Sequence, residues 1–290
     1  MRLDTKEGAN PMALNYTDIS KTVRTKDFDI HYVEAGQGHP VVLLHGGGPG
    51  ATGWSNYQPN IEALSKNFRV IAPDMPGWGE SSAVDFSTID HVDAALQLLD
   101  ALNIEKAAFV GNSMGGQNSI RFALAQPERI SHLITMGPPV QPGPFLLGAD
   151  GPSEGIKIMY ETYFHPTPEN FKRLVEIMVF DSSRFASPEL IAQRASSANT
   201  RPDHLQNVAK MIPRAPIPKW IDLSKLGDIK APALLIHGRD DRVATFEGTL
   251  FLVGHIPNSR AVLINRCGHW AQLEHADEFN RLVTDFVLNN

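Results

Sequence analysis

The chain has one cysteine, no long apolar run and no excess of positive charge. Cys267 cannot form an internal disulfide, so a disulfide-based scaffold is excluded and a reducing, cytoplasmic setting is expected. No stretch approaches the roughly 20 apolar residues that a membrane-spanning helix needs, and the segment from Met1 to Tyr16 predicts no signal peptide. The net charge of −6 provides no basic surface, so neither nucleic acid nor a membrane is expected as a partner.

The composition is that of an ordinary globular protein. Hydrophobic residues make up 42% and charged residues 20% of the 290 residues, which argues against a disordered or fibrous chain. This length is sufficient for one large domain, or for one domain with an insertion.

Apolar runs of strand length alternate with helical patterns through most of the chain. Residues 28–34 and the apolar run 41–44 predict two neighbouring strands, of which the second is buried. Residues 88–102 repeat apolar side chains near a period of 3.6, as an amphipathic helix does. We therefore predict an α/β fold with a mostly parallel central sheet and helices on both faces, preceded by a loosely held lead-in up to about residue 24.

The alternation stops after residue 137 and resumes near residue 221. Helix starts but no strand patterns are found between these points, and the starts lie at Thr167, Ser187 and Arg201, each followed by proline and an acidic residue. The sequence predicts a core formed by residues 1–137 and 221–290, with an all-helical lid at 138–220. A packing subdomain without a role at any site is the alternative. The predicted boundaries are proline-rich, at Pro138, Pro139, Pro213, Pro216 and Pro218.

A candidate nucleophile lies where the apolar run 107–110 ends in Gly111-Asn112-Ser113-Met114-Gly115. In a Gly-x-Ser-x-Gly turn the glycines let a strand and a helix approach closely, so that the serine is held in strained geometry with its oxygen exposed. A chance match is the alternative, since the chain contains 23 glycines.

Two later loops supply a candidate acid and a candidate base. Asp241 and His269 each follow a predicted strand, and the order Ser113, Asp241, His269 is that of an α/β-hydrolase triad. A serine hydroxyl needs His269 to take its proton and Asp241 to stabilise the imidazolium that results. Asp240 is a competing acid. None of the 11 histidines has a metal-binding spacing, so no metal site is predicted.

Backbone amides for an oxyanion are expected from two places. One is the Met114 amide at the start of the helix after the turn, and the other belongs to the glycine loop Gly46-Gly47-Gly48, which follows a buried strand.

Four motifs together resemble those of the meta-cleavage product hydrolases, carbon–carbon bond hydrolases of the α/β-hydrolase fold in aromatic degradation. The resemblance extends from about residue 28 to the end of the chain, and it rests on HGGGPGA (45–51) with WSNY (54–57), GNSMGG (111–116), GRDDR (238–242) and CGHWAQ (267–272).

The resemblance implies the reaction, the ligand contacts and the assembly. Substrates of the 2-hydroxy-6-oxohexa-2,4-dienoate type would yield a 2-hydroxypenta-2,4-dienoate and a carboxylic acid, with no cofactor, in a homo-oligomer. Gly47 and Met114 would form the oxyanion hole, and Arg194 would bind the substrate carboxylate. The remaining dienoate contacts implied are Gly46, Asn56, Asn112 and Trp270.

Other readings stay open from the sequence. Arg194 is alternatively a solvated helix charge, Asn112 a turn cap and Trp270 a core residue. Thr245 stands where relatives commonly have proline. Because this loop borders the pocket for the departing acyl group, the sequence leaves the shape of that pocket open. A carboxylesterase and a hydrolase-like receptor that binds without turnover are rival functions, whereas dehalogenases and epoxide hydrolases resemble the chain less, since they carry aspartate in place of Ser113.

Overall fold

The computed structural model describes residues 14–140, 152–212 and 221–290. In these ranges eight strands form one sheet in the order β1-β2-β4-β3-β5-β6-β7-β8. The strands are Ser20–Arg24 (β1), Asp29–Ala35 (β2), His39–Leu44 (β3), Phe68–Pro73 (β4), Ala107–Asn112 (β5), Ile130–Met136 (β6), Ala233–Gly238 (β7) and Ser259–Ile264 (β8).

The predicted mostly parallel sheet is confirmed. From β4 through β3 to β8 all neighbours run parallel, whereas β1 and β2 are antiparallel to their neighbours. Parallel strands direct their carboxyl ends to one edge, so the loops after β3, β5, β7 and β8 open on the same side.

Two expectations for the amino-terminal part are wrong. The lead-in is ordered from residue 14 onward, because a short helix, Tyr16–Ile19 (α1), continues into β1, which pairs with β2. The earlier part of the lead-in, residues 1–13, lies outside the described residues. The strands β2 and β3 are not neighbours either, since β4 lies between them, antiparallel to β2 and parallel to β3. Parallel neighbours on both sides bury the whole apolar run of β3, which a terminal hairpin would not do.

Helices cover both faces of the sheet, as predicted. Tyr57 and Ile61 pack with Phe279 and Val283 against one face, while Leu99 and Phe122 pack on the other. The helices of this layer are Gly53–Leu64 (α2), His91–Ala101 (α3), Met114–Ala125 (α4), Glu247–His255 (α10), Ala271–Glu274 (α11) and Ala276–Asn289 (α12), with a 3₁₀ helix at Leu223–Asp228.

In the described residues between β6 and β7, five α-helices precede the 3₁₀ helix, and there is no strand. They are Glu154–Phe164 (α5), Pro168–Met178 (α6), Ser182–Phe185 (α7), Pro188–Asn199 (α8) and Pro202–Met211 (α9). The predicted starts of α6 and α8 are confirmed, because the hydroxyls of Thr167 and Ser187 accept the Asn170 and Leu190 amides. The predicted boundary residues Pro213, Pro216 and Pro218 lie outside the described residues.

None of the helices in the described ranges is long and apolar enough to cross a membrane.

Candidate active site

Ser113 occupies a strained turn between β5 and α4. Its backbone has φ +54° and ψ −118°, a conformation that residues other than glycine rarely adopt. The strand and the helix meet closely enough for this turn because Gly111 and Gly115 have no Cβ, which would collide with the Gly115 and Leu44 backbones respectively. The Ser113 side chain does not cap its own helix, so the hydroxyl is left for another partner.

Asp241 and His269 are paired after β7 and β8. His269 Nδ1 lies 2.6 Å from Asp241 Oδ2, and both side chains are buried. The other carboxylate oxygen, Oδ1, accepts the amides of Val243 at 2.7 Å and Ala244 at 3.0 Å. Of the two candidate acids, Asp241 is therefore the one paired with His269, whereas the Asp240 carboxylate lies 3.8 Å from Arg239 Nε.

The electrostatics of the pair favour an ionised acid. Burial alone would raise the pKa of the Asp241 carboxyl, but the facing rings of His269 and His237 and their hydrogen bonds outweigh burial and hold that pKa well below its ordinary value. A carboxylate in this position orients the His269 ring and stabilises an imidazolium.

The end of β6 lies between the serine and the histidine. The Ser113 amide donates to the Met136 carbonyl oxygen at 2.7 Å, and Gly137 follows with φ +52°. A Cβ on Gly137 would lie 3.0 Å from His269 Nδ1, so this turn faces the imidazole directly. Asn112 completes the connection, because its Nδ2 donates to the His269 carbonyl oxygen at 3.2 Å. The predicted triad, Ser113, His269 and Asp241, thus gathers at one edge of the sheet.

The glycine loop lies against this turn. A Cβ on Gly46 would be 3.1 Å from Asn112 Oδ1, and one on Gly47 would be 3.1 Å from Met114 Sδ. Met114 is the first residue of α4, so its amide has no acceptor within the helix. The two predicted amides of the oxyanion hole therefore belong to segments in contact.

His45 holds the start of the glycine loop. Its Nε2 accepts the Met75 amide at 2.9 Å, so its Nδ1 carries the proton that is donated to the Gly46 carbonyl oxygen at 2.8 Å. Burial lowers the pKa of His45 to about 4, which keeps the ring neutral at pH 7.

The residues expected at the dienoate end form one connected group around Arg194. Arg194 Nη2 donates to Asn56 Oδ1 at 3.4 Å, and Asn56 Nδ2 donates to Asn112 Oδ1 at 3.2 Å. The guanidinium carbon lies 4.7 Å from the centroid of a Trp270 ring. Arg194 is only 3% exposed, so it is not a solvated helix charge.

The described residues provide no carboxylate within ion-pair distance of the Arg194 guanidinium. Among the residues that the structure describes, its Nε and Nη1 have no hydrogen-bond partner. Burial lowers the pKa of Arg194 to about 10, which leaves it charged at pH 7.

Asn112 is also more than a turn cap, because it joins Asn56 to the His269 loop. Trp270 is buried in the core as well as lying against Arg194.

Several site contacts come from residues that the sequence reasoning missed. Glu274 accepts the amides of Gly268 and Phe180, both at 2.7 Å, and so ties the His269 loop to the segment after α6. Tyr163 in α5 donates its hydroxyl to the Gly47 carbonyl oxygen at 2.6 Å. An acid five residues after His269 was visible in the sequence, whereas nothing there marks Tyr163.

His237 is a further neighbour of the triad that was missed. It is the last side chain of β7 before Gly238, and its Nε2 lies 3.2 Å from Asp241 Oδ2. The available signal was a histidine at the end of a continuous apolar run.

A second Ser–His–Asp series lies at the antiparallel edge of the sheet, and we call it the edge relay (Ser20, His31 and Asp74). Ser20 Oγ lies 2.8 Å from His31 Nε2, and His31 Nδ1 lies 2.9 Å from Asp74 Oδ2. Asp74 also accepts the amides of Gly53 and Glu80. The edge relay has the serine–histidine–carboxylate hydrogen-bond order of a catalytic triad.

A search of the described ranges finds no cluster of three or more histidine, cysteine or acidic side chains that could hold a metal ion.

Comparison with known proteins gives one consistent result. A family model described as alpha/beta hydrolase fold matches residues 40–276. The chain is 42% identical over 271 residues to a 2-hydroxy-6-oxo-6-phenylhexa-2,4-dienoate hydrolase of Burkholderia cepacia, covering 91% of this chain and 92% of the relative. It is also 42% identical to a 2-hydroxy-6-oxononadienedioate/2-hydroxy-6-oxononatrienedioate hydrolase of Cupriavidus pinatubonensis, covering 97% and 99%.

Solved structures agree with these relatives. A meta-cleavage product hydrolase from Pseudomonas fluorescens IP01 superposes with a TM-score of 0.82 at 32% identity, covering 93% of this chain and 98% of that chain. Because sequence and structure agree over nearly the whole length, the chain belongs to the alpha/beta hydrolase fold family and, within it, to the meta-cleavage product hydrolases.

Proposed function

We propose that this protein hydrolyses a carbon–carbon bond in ring-fission products of the 2-hydroxy-6-oxohexa-2,4-dienoate type. The products are a 2-hydroxypenta-2,4-dienoate and a carboxylic acid. The names of the two relatives support this class of substrate, since both are dienoate hydrolases that differ in the substituent.

The buried guanidinium of Arg194 is the observation that carries the proposal. A buried charge is costly unless an opposite charge or a full set of hydrogen bonds compensates it, and two of the three guanidinium nitrogens lack a partner in the described part of the chain. A carboxylate presents two oxygens to the planar fork of arginine, so a dienoate carboxylate would satisfy it. An ordinary ester substrate has no such group to offer.

In this proposal the triad attacks the ketone of the bound substrate. The dienol is first converted to its keto form, and Ser113 Oγ then forms a bond to the distal carbonyl carbon while His269 takes the hydroxyl proton. Asp241 stabilises the imidazolium, and the amides of Gly47 and Met114 donate to the oxyanion.

Collapse of this intermediate breaks the carbon–carbon bond. The electron pair of that bond passes through the conjugated chain to the oxygen at C2, which takes up the proton that His269 received from Ser113, and the dienol product leaves with His269 neutral again. The acyl group stays on Ser113 until water attacks it, with His269 accepting the water proton. Release of the carboxylic acid restores the free serine, so water is the only co-reactant.

Helices α5–α9 act as a lid over this site in our proposal, within the segment 138–220. The Met178 carbonyl oxygen at the end of α6 accepts the His269 and Trp270 amides at 2.8 and 3.2 Å. Tyr163 reaches the glycine loop from α5. Contacts to both the base and the oxyanion loop support a role in excluding water rather than mere packing.

We also propose a homo-oligomer of the cytoplasm, in line with the family resemblance. Light scattering on the purified protein tests the assembly, and fractionation of cells that express the protein tests the compartment.

A direct assay tests the proposed reaction. Dienoates with phenyl, alkyl and fused-ring substituents are mixed with the protein, their absorbance is followed, and the products are separated by chromatography. We expect loss of the dienoate and one equivalent each of dienol and acid, with the preferred substituent identifying the acyl pocket. The Ser113→Ala variant is the control.

Hydrolysis of aryl esters without dienoate turnover would indicate a carboxylesterase instead, and bound dienoate that persists unchanged would indicate a receptor.

A further inference from the structure

The catalytic acid of the predicted triad has a second histidine partner. His237 is fully buried, and its Nε2 lies 3.2 Å from Asp241 Oδ2 and 2.9 Å from the Ala244 carbonyl oxygen. Both neighbours are acceptors, so Nε2 carries a proton, which it donates to the Ala244 carbonyl oxygen while the N–H also lies beside Asp241 Oδ2. His237 Nδ1 lies 2.8 Å from the hydroxyl of Thr249 in α10. The ring is therefore held from both sides.

His237 completes the set of donors around Asp241. A carboxylate has about four lone-pair positions. The amides of Val243 and Ala244 occupy Oδ1, while His269 and His237 share Oδ2. Arg242, the next residue, turns its guanidinium to the carbonyl oxygens of Glu176 and Val179 instead. With three hydrogen bonds and the His237 N–H beside Oδ2, the carboxylate cannot rotate without losing a favourable contact.

We propose that His237 is a positioning residue for the triad. Anchored to α10 through Thr249, it fixes the plane of the Asp241 carboxylate and withdraws part of its charge from His269. This inference rests on the proposed function, because it assigns to Asp241 the role of the catalytic acid. The series then gains two residues and runs from Thr249 through His237 and Asp241 to His269.

Paired substitutions test the role of His237. His237→Phe keeps the ring volume and removes both nitrogens, whereas His237→Gln retains an amide donor near the position of Nε2. The matched control is His31→Phe, because His31 is equally buried and bound to a carboxylate, Asp74, in the edge relay. Each variant is compared with wild type for kcat and KM on the dienoate and for unfolding temperature.

A second readout follows the triad without the dienoate. A fluorophosphonate labels an active serine: the Ser113 oxygen forms a bond to phosphorus, fluoride leaves and His269 takes the proton. The labelling rate is measured across pH. Without the His237 N–H, more of the Asp241 charge acts on His269, so the acid arm of the labelling profile moves to higher pH.

We expect kcat to fall about tenfold in His237→Phe with KM within about twofold, since the residue supports the acid and does not touch the dienoate. His237→Gln should recover most of kcat and of the wild-type pH profile. His31→Phe should lower the unfolding temperature and leave kcat and the profile unchanged.

Two results would overturn the inference. One is a pH profile and a kcat in His237→Phe that match those of the control. The other is a folded His237→Gln that is no better than His237→Phe. If labelling responds as expected but wild type does not cleave the dienoate, the role of His237 stands and the proposed substrate is wrong.

Discussion

The predicted triad and the edge relay consist of the same three residue types, yet their surroundings differ. In both, a buried histidine is paired with a buried carboxylate, at distances of 2.6 and 2.9 Å. Ser113 stands at a strained turn with φ +54°, whereas Ser20 has ordinary extended backbone at φ −76°. Ser113 also precedes the free amide of a helix start and faces the glycine loop.

A serine with a histidine–carboxylate pair does not by itself make a catalytic site. A histidine and a carboxylate can remove a proton, but attack on a carbonyl also needs an exposed oxygen and donors for the oxyanion. In the edge relay the backbone amides of Gly53 and Glu80 both donate to Asp74, so neither of them is left to bind an oxyanion. The edge relay therefore joins β1, β2 and the α2 start, and we interpret it as structural.

The largest expected effect is the difference between removing Ser113 and removing Ser20. Ser113→Ala should lower kcat on the dienoate by about 10⁵ while the variant still binds the substrate, because the carboxylate contacts remain. Ser20→Ala should leave kcat unchanged. Dienoate absorbance measures turnover, and equilibrium dialysis measures binding. Full activity in Ser113→Ala would assign the nucleophile elsewhere.

The two carboxylates should separate rate from stability. Asp241→Asn presents an amide to His269 and should lower kcat by about 10⁴. Asp74→Asn should instead lower the free energy of unfolding by about 2 to 3 kcal/mol with kcat unchanged, because two backbone amides and His31 lose a charged acceptor. Steady-state kinetics and urea denaturation give the two values. A drop in kcat for Asp74→Asn in the folded protein would contradict the comparison.

Charge compensation also distinguishes the substrate-site arginine, Arg194, from the histidine of the edge relay, His31. His31 has a carboxylate partner, whereas no carboxylate among the described residues pairs with Arg194. Arg194→Met should therefore raise KM for the dienoate about 100-fold without lowering the unfolding temperature, since the fold loses an uncompensated charge. Arg173→Met is the matched control, because Arg173 is half exposed and pairs with Glu161. Equal KM changes in the two variants would remove Arg194 from the substrate site.

The smallest effect is on the pH dependence of stability. Burial alone would lower the pKa of His31, but the hydrogen bond and charge of Asp74 outweigh it and raise that pKa above 6.5. The stabilisation that protonated His31 gains from Asp74 is thus complete below pH 6.5, and it is lost as the pH rises through the pKa of His31 in the folded protein. The difference in unfolding free energy between wild type and His31→Gln should be largest below pH 6.5 and shrink above it. A difference that grows with pH would contradict this assignment.

The sequence by itself determined the elements that depend on local pattern. Apolar runs identified the buried strands, and proline with capping residues marked the starts of α6 and α8. The spacing of Gly111, Ser113 and Gly115 predicted the strained turn, because only glycines allow that approach. The chain order of the triad pointed to the fold, since each residue follows a strand and parallel strands end at one edge of the sheet.

The tertiary structure decided what depends on residues distant in the chain. It paired His269 with Asp241 rather than Asp240, buried Arg194 against Trp270, and inserted β4 between β2 and β3. It also brought His237 to Asp241 and gave the edge relay its shape. Local periodicity carries no information on such contacts. Asp240 and Asp241 are identical residues next to each other in the sequence, and only the folded loop determines which carboxylate faces His269.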